Sequence, residues 1–217
     1  MGQYYYPLIV NSDGSMEKLY SHNYGNGLKL MEHSYIGNNF VNAVLSQLMD
    51  EAKRIAWIGD YSDGHAGREE EYYFSDGFVS TQEEFMKYYY ATWVYDNDGE
   101  KHDKERIAEE IRPDPDEFGM VLDRDHTYWY LVNETKKTFI DLDKYFEQNK
   151  YKWYDDLWCV NPLPLLTAVG NGAGGGDFFN KECESYYYIG SWAFDKIRIT
   201  DEMPGVDYTE DEFYFEE

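Results

Sequence analysis

Tyr128-Trp129-Tyr130-Leu131-Val132-Asn133, then Glu134-Thr135-Lys136-Lys137, then Thr138-Phe139-Ile140-Asp141-Leu142 is the stretch that decides the fold class of this 217-residue chain. Two runs rich in β-branched and aromatic residues flank four polar ones, which is the pattern of a β-hairpin. Asp141 then offers an N-cap oxygen ahead of Leu142, Tyr145 and Phe146, whose spacing turns one apolar face of a short helix inward. A hairpin followed at once by a helix predicts an α+β domain.

Outward from this unit, the same signals recur on both sides. Ser80 and Glu83 form a capping box ahead of Phe85, Tyr88, Tyr89 and Thr92, at helical spacing. Arg54 to Ile58 reads as a short buried strand that ends in the polar loop Gly59-Asp60-Tyr61-Ser62-Asp63-Gly64-His65. Val41, Val44, Leu45 and Leu48 match the i, i+3, i+4, i+7 template, with Asn38 or Asn39 as cap. Tyr4 to Val10, the turn Asn11-Ser12-Asp13-Gly14 and a returning strand over Lys18 to His22 predict an opening hairpin. Leu165 to Val169 and Lys196 to Thr200 are further strand candidates. Asp96 to Asp116 is charged and polar, with a weak helix near Asp103 to Ile111 stopped by Arg112-Pro113, and it reads as an insertion. From Asp201 onward there are eight acids and no base, the composition of a solvated tail with a Phe213-Tyr214-Phe215 anchor. The expectation is one α+β domain over residues 1–200, with a charged insertion at 96–116 and an acidic tail at 201–217. Its mixed or mainly antiparallel sheet should carry three to four short helices.

Composition bounds the functional classes. Apolar residues make up 42% and aromatic residues 19%, enough for a core and against a disordered chain. No window approaches the ~18 apolar residues of a membrane span, and the start has neither a basic segment nor an apolar signal core. Cys159 and Cys183 lie without CxxC or Cys-His metal spacing, which fits reduced thiols in a cytoplasmic protein. Forty-three Asp and Glu against nineteen Lys and Arg give a formal charge of -24. Such a field repels nucleic acid and anionic membranes and steers encounter with basic protein surfaces.

Three places carry candidate chemistry. Gly170-Asn171-Gly172-Ala173-Gly174-Gly175-Gly176-Asp177 matches G-x-G-x-x-G at Gly170, Gly172 and Gly175, the pattern that lets a backbone approach a pyrophosphate. No helix follows it, and Asp177 would oppose a phosphate, so it reads first as a tight structural loop. Asp60, Asp63 and His65, with His22 and His33, have the ligand types of a metal site or acid-base pair, although Asp and Gly are also ordinary turn residues. An EF-hand is excluded, because aligning Asp96, Asp98, Gly99 and Glu105 leaves Val94 at the first ligand position. No G-x-S-x-G, H-E-x-x-H or P-loop pattern occurs. Finally, Tyr4-Tyr5-Tyr6 and Tyr186-Tyr187-Tyr188, if they form strands, must place the middle ring opposite the outer two, and exposed rings of this kind suit a protein interface.

Four short signatures carry a resemblance: Gly27-Leu28-Lys29-Leu30-Met31-Glu32, Trp57-Ile58-Gly59-Asp60-Tyr61-Ser62-Asp63, the glycine loop Gly170 to Asp177, and Gly190-Ser191-Trp192-Ala193-Phe194-Asp195. With them the chain resembles a group of bacterial and mobile-element proteins that begin Met-Gly-Gln-Tyr. The resemblance implies one domain with the charged middle inserted, and it supplies no catalytic residues. It suggests that Asp60, Asp63, Asp177, Trp192 and Asp195 gather around shared glycine loops.

Two functional expectations follow. The first is a non-enzymatic, acidic, tyrosine-rich protein without cofactor that docks on the basic, nucleic-acid-binding surface of a bacterial protein. A phage or mobile-element inhibitor of a defence system, acting as a nucleic-acid mimic, is one such case. The alternative is a small-ligand or nucleotide binder, extending to a metal-dependent hydrolase, built on Asp60, Asp63, His65, Gly172, Gly174, Asp177, Trp192 and Asp195 around a divalent metal.

Overall fold

Alternation of side chains along the strands produces two buried faces. The computed structural model describes residues 2–63, 77–93, 108–115, 129–153, 156–178 and 188–213. Its strands are β1 (Tyr5–Val10), β2 (Met16–Lys18), β3 (Lys53–Gly59), β4 (Glu109–Glu110), β5 (Tyr130–Asn133), β6 (Thr138–Asp141), β7 (Tyr151–Trp153), β8 (Asp156–Trp158), β9 (Ala168–Val169), β10 (Lys196–Thr200) and β11 (Thr209–Glu210). The helices are α1 (Leu30–His33), α2 (Asn39–Ser46), α3 (Gln82–Thr92), α4 (Leu142–Asn149) and α5 (Pro162–Leu166), with a 3-10 turn at Ser21–Tyr24.

Nine strands form one mixed sheet in the order β11-β6-β5-β10-β3-β1-β2-β4, with β9 on β3. The long pairings β1/β3, β5/β6 and β10/β5 are antiparallel, while β2/β4, β3/β9 and β6/β11 are parallel. β9 and β10 share one edge of β3: Lys196 and Ile197 pair with Arg54 and Lys53, and farther along Ala168 and Val169 pair with Trp57 and Ile58.

Tyr5, Ile9, Ile55 and Trp57 face a cluster with α1, α2, α4 and α5. Leu8, Val10, Ala56 and Ile58, one residue out of phase, face a second cluster under α3 with Phe85 and Tyr89. Helices therefore cover both sides of the sheet. That explains why β3 reads as a continuous apolar run: a strand covered on both faces has no reason to alternate.

The expected α+β class and mixed sheet are present, and the described residues include five helices where three to four were expected. Asn38 caps α2 by accepting from the Phe40 and Val41 amides, and Asp141 caps α4 by accepting from Asp143 and Lys144. Other expectations need correction. Thr81, not Ser80, is the N-cap of α3 and accepts from the Glu84 amide, while Ser80 is held by the Glu84 carboxylate. The cap slips by one residue because both Ser80 and Thr81 can donate and accept there. Leu165 to Val169 is not one strand. Asn161 and Pro162 start α5, which claims Leu165 and Leu166, and only Ala168–Val169 pair with β3.

The returning strand ends at Lys18, and Ser21–Tyr24 is a 3-10 turn. At the charged block, Glu109 and Glu110 pair with β2 and Ala108 is buried, so its described end belongs to the sheet and not to a helix. The rest of the helix expected over Asp103 to Ile111, and the Asp96 to Glu105 segment, lie outside the described residues. Nor are the described residues 201–213 simply a solvated tail: Thr209–Glu210 add β11 to β6, and Phe213 is buried against Tyr145 with ring centroids 5.8 Å apart. Tyr214 and Phe215 lie outside the described residues.

Candidate functional site

Asp177 organises the glycine loop from within. Its Oδ2 accepts hydrogen bonds from the amides of Gly172 (2.8 Å) and Gly174 (3.0 Å), and its Oδ1 accepts from the Tyr5 hydroxyl at 3.0 Å. Positive φ at Gly170, Gly172 and Gly176 turns the chain so that these amides converge. Convergent amides of this kind form an anion-binding concavity. Here the chain's own carboxylate fills it, so the donors that a phosphate would use at Gly172 and Gly174 are taken. Asn171 completes the loop by donating to the Phe178 carbonyl and accepting from the Phe178 amide.

The same loop is clamped to the N-terminus. The Gln3 amide donates to the Gly175 carbonyl (3.0 Å) and the Met31 amide to the Gly176 carbonyl (3.0 Å). A Cβ at Gly174 would meet the Gln3 side chain at 2.5 Å, so glycine is required there by close approach of another backbone. The Gln3 amide group is fully buried, lies beside Gly59 and Gly170, and has no hydrogen-bond partner for its nitrogen or oxygen.

Asp60 follows β3 at this end and accepts from the Tyr4 amide at 3.0 Å, while its carbonyl accepts from the Tyr89 hydroxyl. Burial pushes the Asp60 carboxyl above its ordinary value, and the nearby Asp177 and Asp63 add to this. Asp177 is likewise raised, with burial outweighing the hydrogen bonds from Gly174, Gly172 and Tyr5. The Tyr5 phenol is pushed well up by burial and by Asp177, so it remains a donor. Asp60, Asp63 and Asp177 thus share one end of the sheet.

Asp195 lies at the opposite end of β3. Its backbone accepts from Ile55, and its buried carboxylate accepts from Asn133 Nδ2 at 2.7 Å and stands 3.7 Å from Lys136 Nζ. Trp192 is 1% exposed, donates its amide to the Leu166 carbonyl and hydrogen-bonds Asp211 through its side chain. His65 lies outside the described residues. His22 is exposed and bonded to the Tyr20 hydroxyl. His33 is fully buried: its Nδ1 donates to the Gly27 carbonyl (3.1 Å) and its Nε2 accepts from the Trp57 indole (3.0 Å). Burial drives its pKa down to about 4, so it is a neutral core group and not a free base. Among the described residues, no three His, Cys, Asp or Glu come together as a metal site.

A second concavity was not legible in the sequence. Val10, Asn11, Ser12, Gly14, Met16, Ala52, Arg54, Phe78, Lys87, Tyr88 and Lys196 line a groove of about 580 Å³ at the Arg54 end of β3, away from Asp60. Its charged lining, among the described residues, is wholly cationic.

Comparison with protein-family models, with curated proteins and with solved structures finds no match to this chain. Among the described residues no helix is long and apolar enough to cross a membrane.

Proposed function

We propose that this protein works by docking on a basic, nucleic-acid-binding surface of a partner protein, with no catalytic step of its own. One observation carries the reading: Glu17 and Glu109 lie in register on neighbouring strands at the β4 edge of the sheet, with exposed Glu110 next along, opposite Lys18. Like charges placed opposite each other cost stability, roughly 0.2–1 kcal/mol per pair. A basic partner surface removes that cost.

The net charge of -24 supplies the long-range field that accelerates encounter. The second acidic segment, β11 with Asp207 and Glu212 beside it, lies on the opposite edge of the sheet. A partner therefore meets two separate acidic edges and not one continuous face. In a phage or mobile-element setting, such docking would inhibit a bacterial defence protein by competing with its nucleic acid. Cys159, a buried thiol pushed up to about 12 by burial, suits a cytoplasmic, reducing setting.

The test is capture of partners at low salt by the parent chain and by an E17Q/E109Q/E110Q variant. The expected partner is basic, is displaced by added duplex DNA and by salt, and is lost by the variant. Recovery of no basic protein at low salt, or capture that ignores the triple change, sinks the proposal.

The alternative, a small polar ligand at the Asp60–Asp177 end, is supported by the Gln3 amide group, buried without a partner between Gly59 and Gly170. Thermal shifts against a panel of nucleotides and divalent ions, with D60N beside the parent, check this. A flat response in both chains removes it.

A further inference from the structure

We propose that β11 and its flanks form a releasable acidic strap, closed over the edge of β6 by Lys137 and Lys144 and lifted from it by the basic surface of a partner. The closed strap is tethered at both ends, by Thr200 at the end of β10 and by Phe213, which is buried against Tyr145. Between these tethers the hold is slight. β11 pairs two residues, Thr209 and Glu210, with β6, and residues 201–203 and 205–207 are exposed.

Lys137 concentrates the closure. It sits at φ 56°, in the left-handed region where a side chain costs stability, and such a conformation persists where its surroundings over-determine it. Here the surroundings are the strap. The Lys137 carbonyl accepts from the Thr209 amide (2.9 Å), its Nζ donates to the Tyr208 hydroxyl (2.9 Å) and to Glu134 (2.9 Å), and its charge lies over the Tyr208 ring at 4.6 Å. The Tyr208 hydroxyl donates to Glu134, which also accepts from Arg198 Nε at 2.6 Å. Burial opposes ionisation of Glu134, but hydrogen bonds from Arg198, Tyr208 and Lys137 outweigh it and hold the carboxyl down to about 2. Farther along, Lys144 donates to both oxygens of Glu210 (2.8 and 2.9 Å), and the Asp211 amide donates to the Phe139 carbonyl (2.7 Å). The side chains of Lys137 and Lys144 are 49% and 56% exposed, so water competes for both and each link is weak alone. Residues 201–213 carry six acids and no base. Cations on a partner's surface therefore offer the strap the same chemistry as Lys137 and Lys144 do, and shift it toward the lifted state. The identity of the displacing surface rests on the docking reading above, whereas the opening belongs to the chain alone.

Native-state amide exchange of the full chain, read by NMR, tests this. Thr209 and Asp211, whose amides bond the carbonyls of Lys137 and Phe139, should exchange through a local opening insensitive to low urea. That opening should be at least about a hundredfold more frequent than for the amides of β5, which is paired on both sides. A deca-arginine peptide should speed Thr209 and Asp211, and a deca-glutamate peptide should not. K144S and Y208F should each raise the opening about fivefold. K137G removes the left-handed penalty along with the side-chain links, so β5 should be protected at least as well as in the parent while the strap opens more often. Exchange of Thr209 and Asp211 only through global unfolding, or openings unchanged in K144S, Y208F and K137G, overturns the strap. An opening strap that deca-arginine fails to speed overturns its displacement by a basic surface. Neither result depends on capture through Glu17, Glu109 and Glu110, so failure here and failure of the docking reading are told apart.

Discussion

The Trp57 indole donates its N–H to Nε2 of His33 across 3.0 Å of fully buried core. With Nδ1 donating to the Gly27 carbonyl, both ring nitrogens are used and the imidazole must be neutral to fit.

Acid should therefore destabilise the fold through this residue. The folded pKa of about 4 lies below the unfolded value near 6.5. The contribution is intact above the unfolded value and lost as pH falls from about 6.5 to 4, with a limit of about 3 kcal/mol. The raised carboxyls of Asp60, Asp177 and Asp211 act in the opposite sense, taking up protons more readily when folded. Urea unfolding at pH 7 and pH 5 should show the loss, and H33Q should flatten it.

Removing the Asp177 carboxylate strands three donors: the Gly172 and Gly174 amides and the Tyr5 hydroxyl. We expect Asp177→Ala to cost about 2–4 kcal/mol, from lost charge-assisted bonds and unsatisfied buried donors. Chemical denaturation checks this. D60N, which removes a partly buried charge near a second acid, should cost less than about 1 kcal/mol.

Two glycines with similar left-handed φ should respond differently. At Gly190 (φ 79°) an added Cβ would sit 2.5 Å from the Ala168 carbonyl oxygen, whereas at Gly14 (φ 84°) it meets nothing. G14A should cost about 1 kcal/mol, the conformational penalty alone. G190A adds a clash with β9 backbone and should cost about 3 kcal/mol. Thermal melts of the pair separate the two causes.

Phe213 stacks on Tyr145 and also meets Tyr188, at centroid distances of 5.8 and 5.5 Å. F213A should therefore cost about 3–5 kcal/mol. A substitution in a solvated tail would change the unfolding midpoint hardly at all, so denaturation distinguishes the two descriptions directly.

Long elements with a consistent period were legible from sequence: β10 occupies the expected Lys196–Thr200, and the hairpin around Glu134 and both Asn38 and Asp141 caps form as their residue types require. β9, β4 and β11 were not, since two-residue strands carry no period and exist only because a neighbour presents an open edge. Within the candidate site, Asp60 and Asp177 were visible as residue types, but the occupied amides of Gly172 and Gly174 depend on a side chain folding back on its own loop. The cationic groove assembles residues from four separated segments. Its sole sequence trace was the rarity of bases, which says nothing about where they meet.

The shared edge of β3 has a consequence for how the chain is made. Arg54 to Gly59 leave the ribosome well before the residues that complete their hydrogen bonding, Ala168 and Val169 on β9 and Lys196 on β10. At roughly 5–20 residues per second, that edge waits on the order of ten seconds for its partners. During that interval Ile55-Ala56-Trp57-Ile58 is a sticky, half-paired template held only by β1. Like net charge on neighbouring copies opposes their association in that interval.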